Sequence, residues 1–498
     1  MDWIGKRASI YPEKIALVDI EYNRSLTYKQ LEESVALWVT YLKSIPIKKG
    51  ERVAVLVENQ IDIFEIMFAC GSIGAIFVPL NYRLSEYELT YILQDCSPIV
   101  LLYNEKFQQM AKRLPVKNKV QLTDANWSCD NETVKRCKTN LTDDNPMMKN
   151  EPWLIIYTGG TTGRPKGVVL TYQAIFWNAI NTIISWGLSN EEITLTYMPL
   201  FHTGGINALS FPILFNGGTV VVGNKFDPGA ALRYLVEYKC SIALFVPTMY
   251  HMMQQTKEFE SLDFSNMKVF LSGGAPCPLS IYDHFARKKL PFKEGYGLTE
   301  AGPNNFVITP DAALIKRGSV GKPMMLNDVK IMKFDGSEAG INEVGELLIR
   351  GGHVFKEYWN NPEATKETLQ DGWLHTGDLA RKDEEGFYYI VGRKKDMIIS
   401  GGENVYPLEI EHWLAEHPTI NEAVVIGLPD EKWGEVITAF ITLKKGATVS
   451  EQELKQHCSY KLASYKIPKK FYVLDELPKT HVGKISKQAL QSEYEQFI

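Results

Sequence analysis

The stretch Tyr157-Thr-Gly-Gly-Thr-Thr-Gly-Arg-Pro-Lys-Gly167 decides how the rest of this chain is read. It follows the apolar run Trp153-Leu-Ile-Ile-Tyr157, the pattern of a buried strand. Gly159, Gly160, Gly163 and Gly167 let backbone N–H groups approach phosphate oxygens. The hydroxyls of Thr158, Thr161 and Thr162 add donors, and Arg164 and Lys166 add positive charge. The composition is that of a phosphate cradle. It is not a Walker A loop, which needs Gly-Lys followed by Ser or Thr. The chain also has no G-x-G-x-x-G fingerprint, so a dinucleotide cofactor is not indicated.

On the N-terminal side, helical and strand patterns alternate. Thr27 to Leu42 reads as an amphipathic helix with Ser25 just before it, Phe64 to Gly74 and Ser85 to Gln94 as further helices. Arg52 to Val57, Ala75 to Leu80 and Ile99 to Tyr103 read as strands, which predicts a doubly wound parallel α/β sheet. Lys117 to Asn150 is polar and aperiodic and reads as a surface connection. On the C-terminal side, alternation resumes at Thr219 to Val222, Ile242 to Val246 and Lys268 to Leu271. Val320 to Arg350 is strand-rich, with turns at Asp335-Gly336 and Glu343 to Glu346, and predicts a β subdomain. After the run Phe387 to Val391, the charged Gly392-Arg393-Lys394-Lys395-Asp396 marks a break. About a hundred residues follow, with three expected strands and several helices, enough for one small α+β domain. The expected organisation is a large domain over 1–392, a hinge at 393–396 and a small domain over 397–498.

The glycine-rich loop resembles the signature of the adenylate-forming superfamily, whose usual form is Thr-Ser-Gly-Thr-Thr-Gly-x-Pro-Lys-Gly. Here Gly159 stands where Ser is usual, which removes one hydroxyl donor. The other motifs of that superfamily follow in order: Pro199-Leu-Phe-His202, Ser272-Gly-Gly-Ala-Pro276, Gly295-Tyr-Gly-Leu-Thr-Glu300, Gly372-Trp-Leu-His-Thr-Gly-Asp378, Gly392 to Asp396, and Pro478-Lys-Thr-His-Val-Gly-Lys484. The resemblance covers nearly the whole chain and is strongest to acyl-CoA synthetases. It implies that ATP activates a carboxylic acid as its acyl-adenylate, with release of pyrophosphate, before transfer to coenzyme A.

The resemblance also implies roles. Gly274, Ala275, Pro276, Gly295, Tyr296 and Gly297 would belong to the ATP/AMP site, with Tyr296 stacking near adenine; Asp378 would hold the ribose; Thr299, near the α-phosphate, would be catalytic. Glu300, with Thr161, would ligate Mg²⁺, a hard cation that prefers oxygen donors. Arg393 and Lys484 would be catalytic cations, Lys484 bridging the acid's carboxylate and the α-phosphate. Lys395 would be the pivot of a mobile C-terminal domain, and Gly401 and Gly402 would border the coenzyme A path. His202, Gly273 and Gly297 would line the acyl site, and His202 would be catalytic there, near the acid's carboxylate or gating the acyl tunnel.

The segments expected around that site (near Trp177, His202 to Asn207, Pro247 to Tyr250, Gly273 to Pro276 and Gly297 to Pro303) carry no Arg or Lys. A buried second carboxylate would need a cation. The expected acid is therefore monocarboxylic, with a medium- or long-chain fatty acid favoured and succinylbenzoate or hydroxycinnamate open. Loading of a separate carrier protein stays open as an alternative to free coenzyme A.

Composition agrees with such an enzyme. The 498 residues are 45% hydrophobic and 23% charged, with a net charge of -5, which gives no broad surface for nucleic acid. Seven scattered cysteines without a CxxC pair argue against disulfides or zinc and for a cytoplasmic setting. The first residues lack an export signal, so Asn23, Asn126, Asn131 and Asn140 read as chance glycosylation matches. No apolar run reaches the roughly 18 residues of a membrane span, which leaves at most peripheral membrane contact. Monomer and homodimer are both compatible with the sequence.

Overall fold

The computed structural model describes residues 3–45, 47–122, 150–159, 165–430, 433–479 and 485–494. Its first sheet runs Phe292–Glu294, Val269–Ser272, Ile242–Phe245, Ile193–Thr196, Thr219–Val222, Ile15–Asp19 and Arg24–Thr27, parallel except at its last pair. Its second runs Glu357–Tyr358, Lys166–Thr171, Pro152–Thr158, Ile76–Pro79, Arg52–Leu56, Val100–Tyr103 and Lys119–Gln121. Helices join the parallel strands, as the alternation predicts. A third, antiparallel sheet is built from strands between Phe306 and Arg393. A fourth, of five strands, draws only on residues from Ile398 onward.

Local signals set the helix ends. Thr27 caps Tyr28–Ser44 through a reciprocal box with Gln30, and Ser85 caps Glu86–Cys96 through the same device with Glu88. The cap of the first of these is thus Thr27; Ser25 lies in the preceding strand Arg24–Thr27. A cluster of apolar side chains between the first two sheets holds them together. At its centre Trp153 stacks on Tyr172 at 4.9 Å and donates its indole N–H to the Met67 carbonyl at 2.9 Å. Gly71 must be small there, because a Cβ would lie 2.8 Å from the Trp153 nitrogen.

Two expectations change in the C-terminal part. The segment after Ile398 holds five strands where three are expected, because short pairings such as Ile398–Ser400 with Glu403–Val405 leave little pattern in the sequence. The break expected at 392–396 is partly strand: Gly392 and Arg393 finish the strand Tyr388–Arg393, and Lys394–Asp396 form a single 3₁₀ turn. The expected connection over Lys117 to Asn150 falls mostly outside the described residues, although Lys119–Gln121 forms an edge strand. The described part of the final helix is Lys487–Tyr494. Among the described residues no helix is long and apolar enough to cross a membrane.

Candidate active site

The glycine-rich stretch is the hairpin loop between Pro152–Thr158 and Lys166–Thr171, with Thr158 opposite Lys166. The residues that would touch phosphate most directly, Gly160, Thr161, Thr162, Gly163 and Arg164, lie outside the described residues, as does Lys484. The two ends of the loop are placed. Lys166 sets its ammonium 5.1 Å from the centre of the Tyr358 ring. Tyr358 reaches this point because Glu357–Tyr358 pairs with Val168 and Val169. Its hydroxyl donates to the Glu300 carboxylate at 2.8 Å. Burial raises the Glu300 carboxyl above the ordinary value. Glu300 and the buried Thr299 stand in the 3₁₀ turn Thr299–Ala301.

Asp378, Tyr296 and Arg393 meet on the other side. The Tyr296 hydroxyl donates to one Asp378 oxygen at 2.5 Å, and Arg393 Nε holds the other at 2.6 Å. The antiparallel ladder explains the second contact, since Asp378 is the register partner of Arg393. Burial and the Asp378 charge both push the Tyr296 phenol up, so it remains a donor.

A bulge aims Asp378. Leu348 pairs with His375 and Glu346 with Leu379, so one residue on one strand faces three, Thr376, Gly377 and Asp378, on the other. Gly377 takes a φ of +69°, a conformation that favours glycine. The amide displaced by the bulge is satisfied by a side chain: Gly377 N–H donates to Glu346 Oε1 at 3.2 Å. Glu346 Oε2 receives Lys394 at 3.0 Å, so one carboxylate ties the Asp378 bulge to the residue beside Lys395. Lys395 itself is exposed in the 3₁₀ turn.

Gly273 and Gly274 follow the strand Val269–Ser272 and lead into Ala275 and Pro276; Gly295 continues the neighbouring strand, its N–H donating to the Ser272 carbonyl at 2.8 Å. Gly297 allows a backbone crossing that no side chain would permit, because a Cβ there would lie 1.3 Å from the Pro303 carbonyl oxygen. His202 caps the short helix Thr203–Ile206, its Nδ1 accepting from Gly204 N–H at 3.2 Å. It is thus fixed at a helix start, a few residues beyond the strand Ile193–Thr196. Gly401 and Gly402 make the turn between the strands Ile398–Ser400 and Glu403–Val405 with φ of +61° and +86°.

Three residues that the motifs do not name belong here: Tyr358, Glu346 and Glu294. Glu294 accepts from Cys277 N–H at 3.0 Å and from the Tyr282 hydroxyl at 2.9 Å, which fixes the 273–277 loop against the strand leading to Tyr296. Its place directly before Gly-Tyr-Gly-Leu-Thr-Glu was the one available signal. Among the described residues no group of three or more His, Cys, Asp or Glu forms a metal cage. The half-buried Glu300 carboxylate, beside the loop expected to hold phosphate, instead suits a cation that completes its shell with phosphate and water oxygens, as Mg²⁺ does.

Comparison with known proteins agrees with this geometry. Residues 5–359 match the AMP-binding enzyme family, and residues 409–484 match the AMP-binding enzyme C-terminal domain. The chain is 36% identical to a feruloyl-CoA synthase of Amycolatopsis sp, with 97% of each chain covered. It is 34% identical to the long-chain-fatty-acid–CoA ligase FadD13 of Mycobacterium tuberculosis, covering 99% of this chain and 97% of the other. Among solved structures, o-succinylbenzoate CoA synthetase from Bacillus subtilis, in complex with its acyl-adenylate intermediate, superposes with a TM-score of 0.86 at 32% identity over 98% of both chains. The chain therefore belongs to the AMP-binding enzyme family and, within it, to the AMP-forming acyl-CoA synthetases, acid–thiol ligases that use ATP, Mg²⁺ and coenzyme A.

Proposed function

We propose that ATP lies with its ribose on Asp378, its adenine among Gly274, Ala275, Pro276, Gly295, Tyr296 and Gly297, and its phosphates in the loop Thr158 to Gly163 with Lys166. The observation that carries this reading is the pairing of Arg393 with Asp378, which brings a cation from the edge of the hinge onto the ribose carboxylate. Thr299 faces the α-phosphate, and Glu300 with Thr161 would hold Mg²⁺, which neutralises phosphate charge when bound. The acid's carboxylate, near His202, attacks the α-phosphorus and pyrophosphate leaves. No protein nucleophile is needed; the work is positioning two anions and offsetting their repulsion, for which Lys484 and Arg393 are suited. The coenzyme A thiol then attacks the acyl carbonyl and AMP leaves.

Both steps use one site, so the segment over 397–498 pivots at Lys395 against the segment over 1–392, and Gly401-Gly402 borders the pantetheine path in the second step. The fourth sheet, built only from residues beyond the turn Lys394–Asp396, supports that division. The acyl group lies along Gly273 and Gly297. Relatives are named for aryl, indole-acetic and fatty acids, so the named activities alone do not choose among these classes. A cytoplasmic enzyme fits the five described cysteines, all free and buried. The test is release of AMP and pyrophosphate from a panel of acids, with and without coenzyme A. Stoichiometric ADP and phosphate would reject the reading, and turnover without coenzyme A dependence would redirect it to another acceptor.

A further inference from the structure

The strands Val269–Ser272 and Phe292–Glu294 run in parallel with Leu271 opposite Lys293. Side chains alternate between the faces of a sheet. Lys293 therefore shares a face with Leu271 and, two residues on, with Gly273 and Gly295. Gly273 is one of the two glycines assigned above to the acyl group, and the inference rests on that assignment. No side chain larger than hydrogen fits at either glycine without a shift: a Cβ at Gly273 would lie 3.2 Å from a Leu244 methyl, and one at Gly295 3.2 Å from a Leu271 methyl, so apolar methyls pack against this face. Glu294 faces the opposite way, toward Cys277 and Tyr282.

Lys293 is only 4% exposed. Its ammonium sits 4.4 Å from the centre of the Trp186 ring, and the Trp186 N–H is committed to the Phe306 carbonyl at 3.2 Å. Among the described residues no carboxylate, hydroxyl or carbonyl takes a hydrogen bond from that ammonium. Burial lowers it to about 8, so it still carries its charge at neutral pH. A buried cation with one aromatic face and no oxygen partner is costly to keep. The sequence segments read as the acyl wall contain no cation; register supplies one from four residues before the nearest of them, Gly297 to Pro303.

We infer that Lys293 closes the far end of the acyl site and selects an aromatic acid with a hydrogen-bond-accepting oxygen remote from its carboxylate. Lys293 stands two strand positions before Gly295, a rise of about 7 Å, the length scale of a single aromatic ring. Trp186 supplies a flat apolar neighbour for that ring, and the ammonium donates to the remote oxygen. A site built to donate to such an oxygen discriminates against the acid that lacks it, because its own polar group is then left unpaired.

The experiment compares coenzyme A-dependent AMP release from cinnamic, 4-hydroxycinnamic, octanoic and hexadecanoic acids by the full chain and by Lys293→Met. The expected result is a kcat/KM for 4-hydroxycinnamic acid about tenfold or more above that for cinnamic acid. In Lys293→Met that advantage should collapse to about twofold, with cinnamic acid itself falling by less than about threefold. Equal use of the two aromatic acids by the unmodified protein would overturn the inference, as would a preference for hexadecanoic acid or an equal loss on both aromatic acids in the variant. In those cases AMP release would still uphold ligase activity; no AMP from any acid would overturn both readings.

Discussion

Replacing Glu346 with Ala should weaken ATP binding through a residue that does not touch ATP. The carboxylate accepts the Gly377 amide at 3.2 Å and the Lys394 ammonium at 3.0 Å, with His375 Nδ1 3.5 Å away. The amide bond matters more. The bulge leaves Gly377 N–H without a ladder partner, so removing its acceptor costs about 1–1.5 kcal/mol. The Lys394 side chain is 49% exposed, and solvent screening limits its pair to about 0.5 kcal/mol. The sum, about 1.5–2 kcal/mol, falls on the conformation that presents Asp378. With roughly 1.4 kcal/mol per factor of ten, the KM for ATP in acid-dependent ATP–pyrophosphate exchange should rise about tenfold or somewhat more. Glu346→Gln keeps an acceptor for Gly377 and should recover most of that loss, whereas Lys394→Met should raise the KM by less than about threefold. An unchanged KM in Glu346→Ala would refute the reasoning, as would equal effects of Glu346→Ala and Lys394→Met.

Lys484→Ala should reduce acid-dependent ATP–pyrophosphate exchange by about 10²–10³ or more and leave thioester formation from supplied acyl-adenylate largely intact; equal loss in both half-reactions would remove Lys484 from its assigned role. Lys395→Pro fixes φ near −65°, so single-turnover kinetics should show near-normal acyl-adenylate formation and thioester formation slowed roughly tenfold or more, and an unchanged second step would move the pivot elsewhere. Burial holds the Glu294 carboxyl at about 8, raised from 4.5. The stability this contributes is fully present below pH 4.5 and lost as pH rises through about 8. The melting temperature of the unmodified protein should therefore fall relative to Glu294→Gln between pH 5 and pH 9, and a constant difference would show that Glu294 does not titrate in that window.

The residues that a contiguous chemistry requires were legible in the sequence. The loop from Tyr157 to Gly167 gathers glycines, hydroxyls and cations within one turn of chain, and the helix caps at Ser85 and Glu88 lie three residues apart. Such signals are local and survive without knowledge of the fold. Asp378 and Arg393 were each legible as motif residues, but their contact depends on the strand register that sets them opposite one another. Tyr358 carries no motif; it reaches Glu300, 58 residues earlier, because a two-residue strand docks beside Val168 and Val169. Glu346 became part of the site because an irregular pairing exposed the Gly377 amide, and a bulge leaves no composition signal. Lys293 sits in an ordinary-looking Phe-Lys-Glu strand, and only the alternation of that strand against Val269–Ser272 separates its face from that of Glu294. Sequence alone determined the family, and with it the expected chemistry, because six further motifs follow the glycine-rich loop in the order of the adenylate-forming superfamily. Tertiary structure decided which distant side chains support that chemistry and what the acyl face offers, because register and bulges depend on packing between strands far apart in the chain.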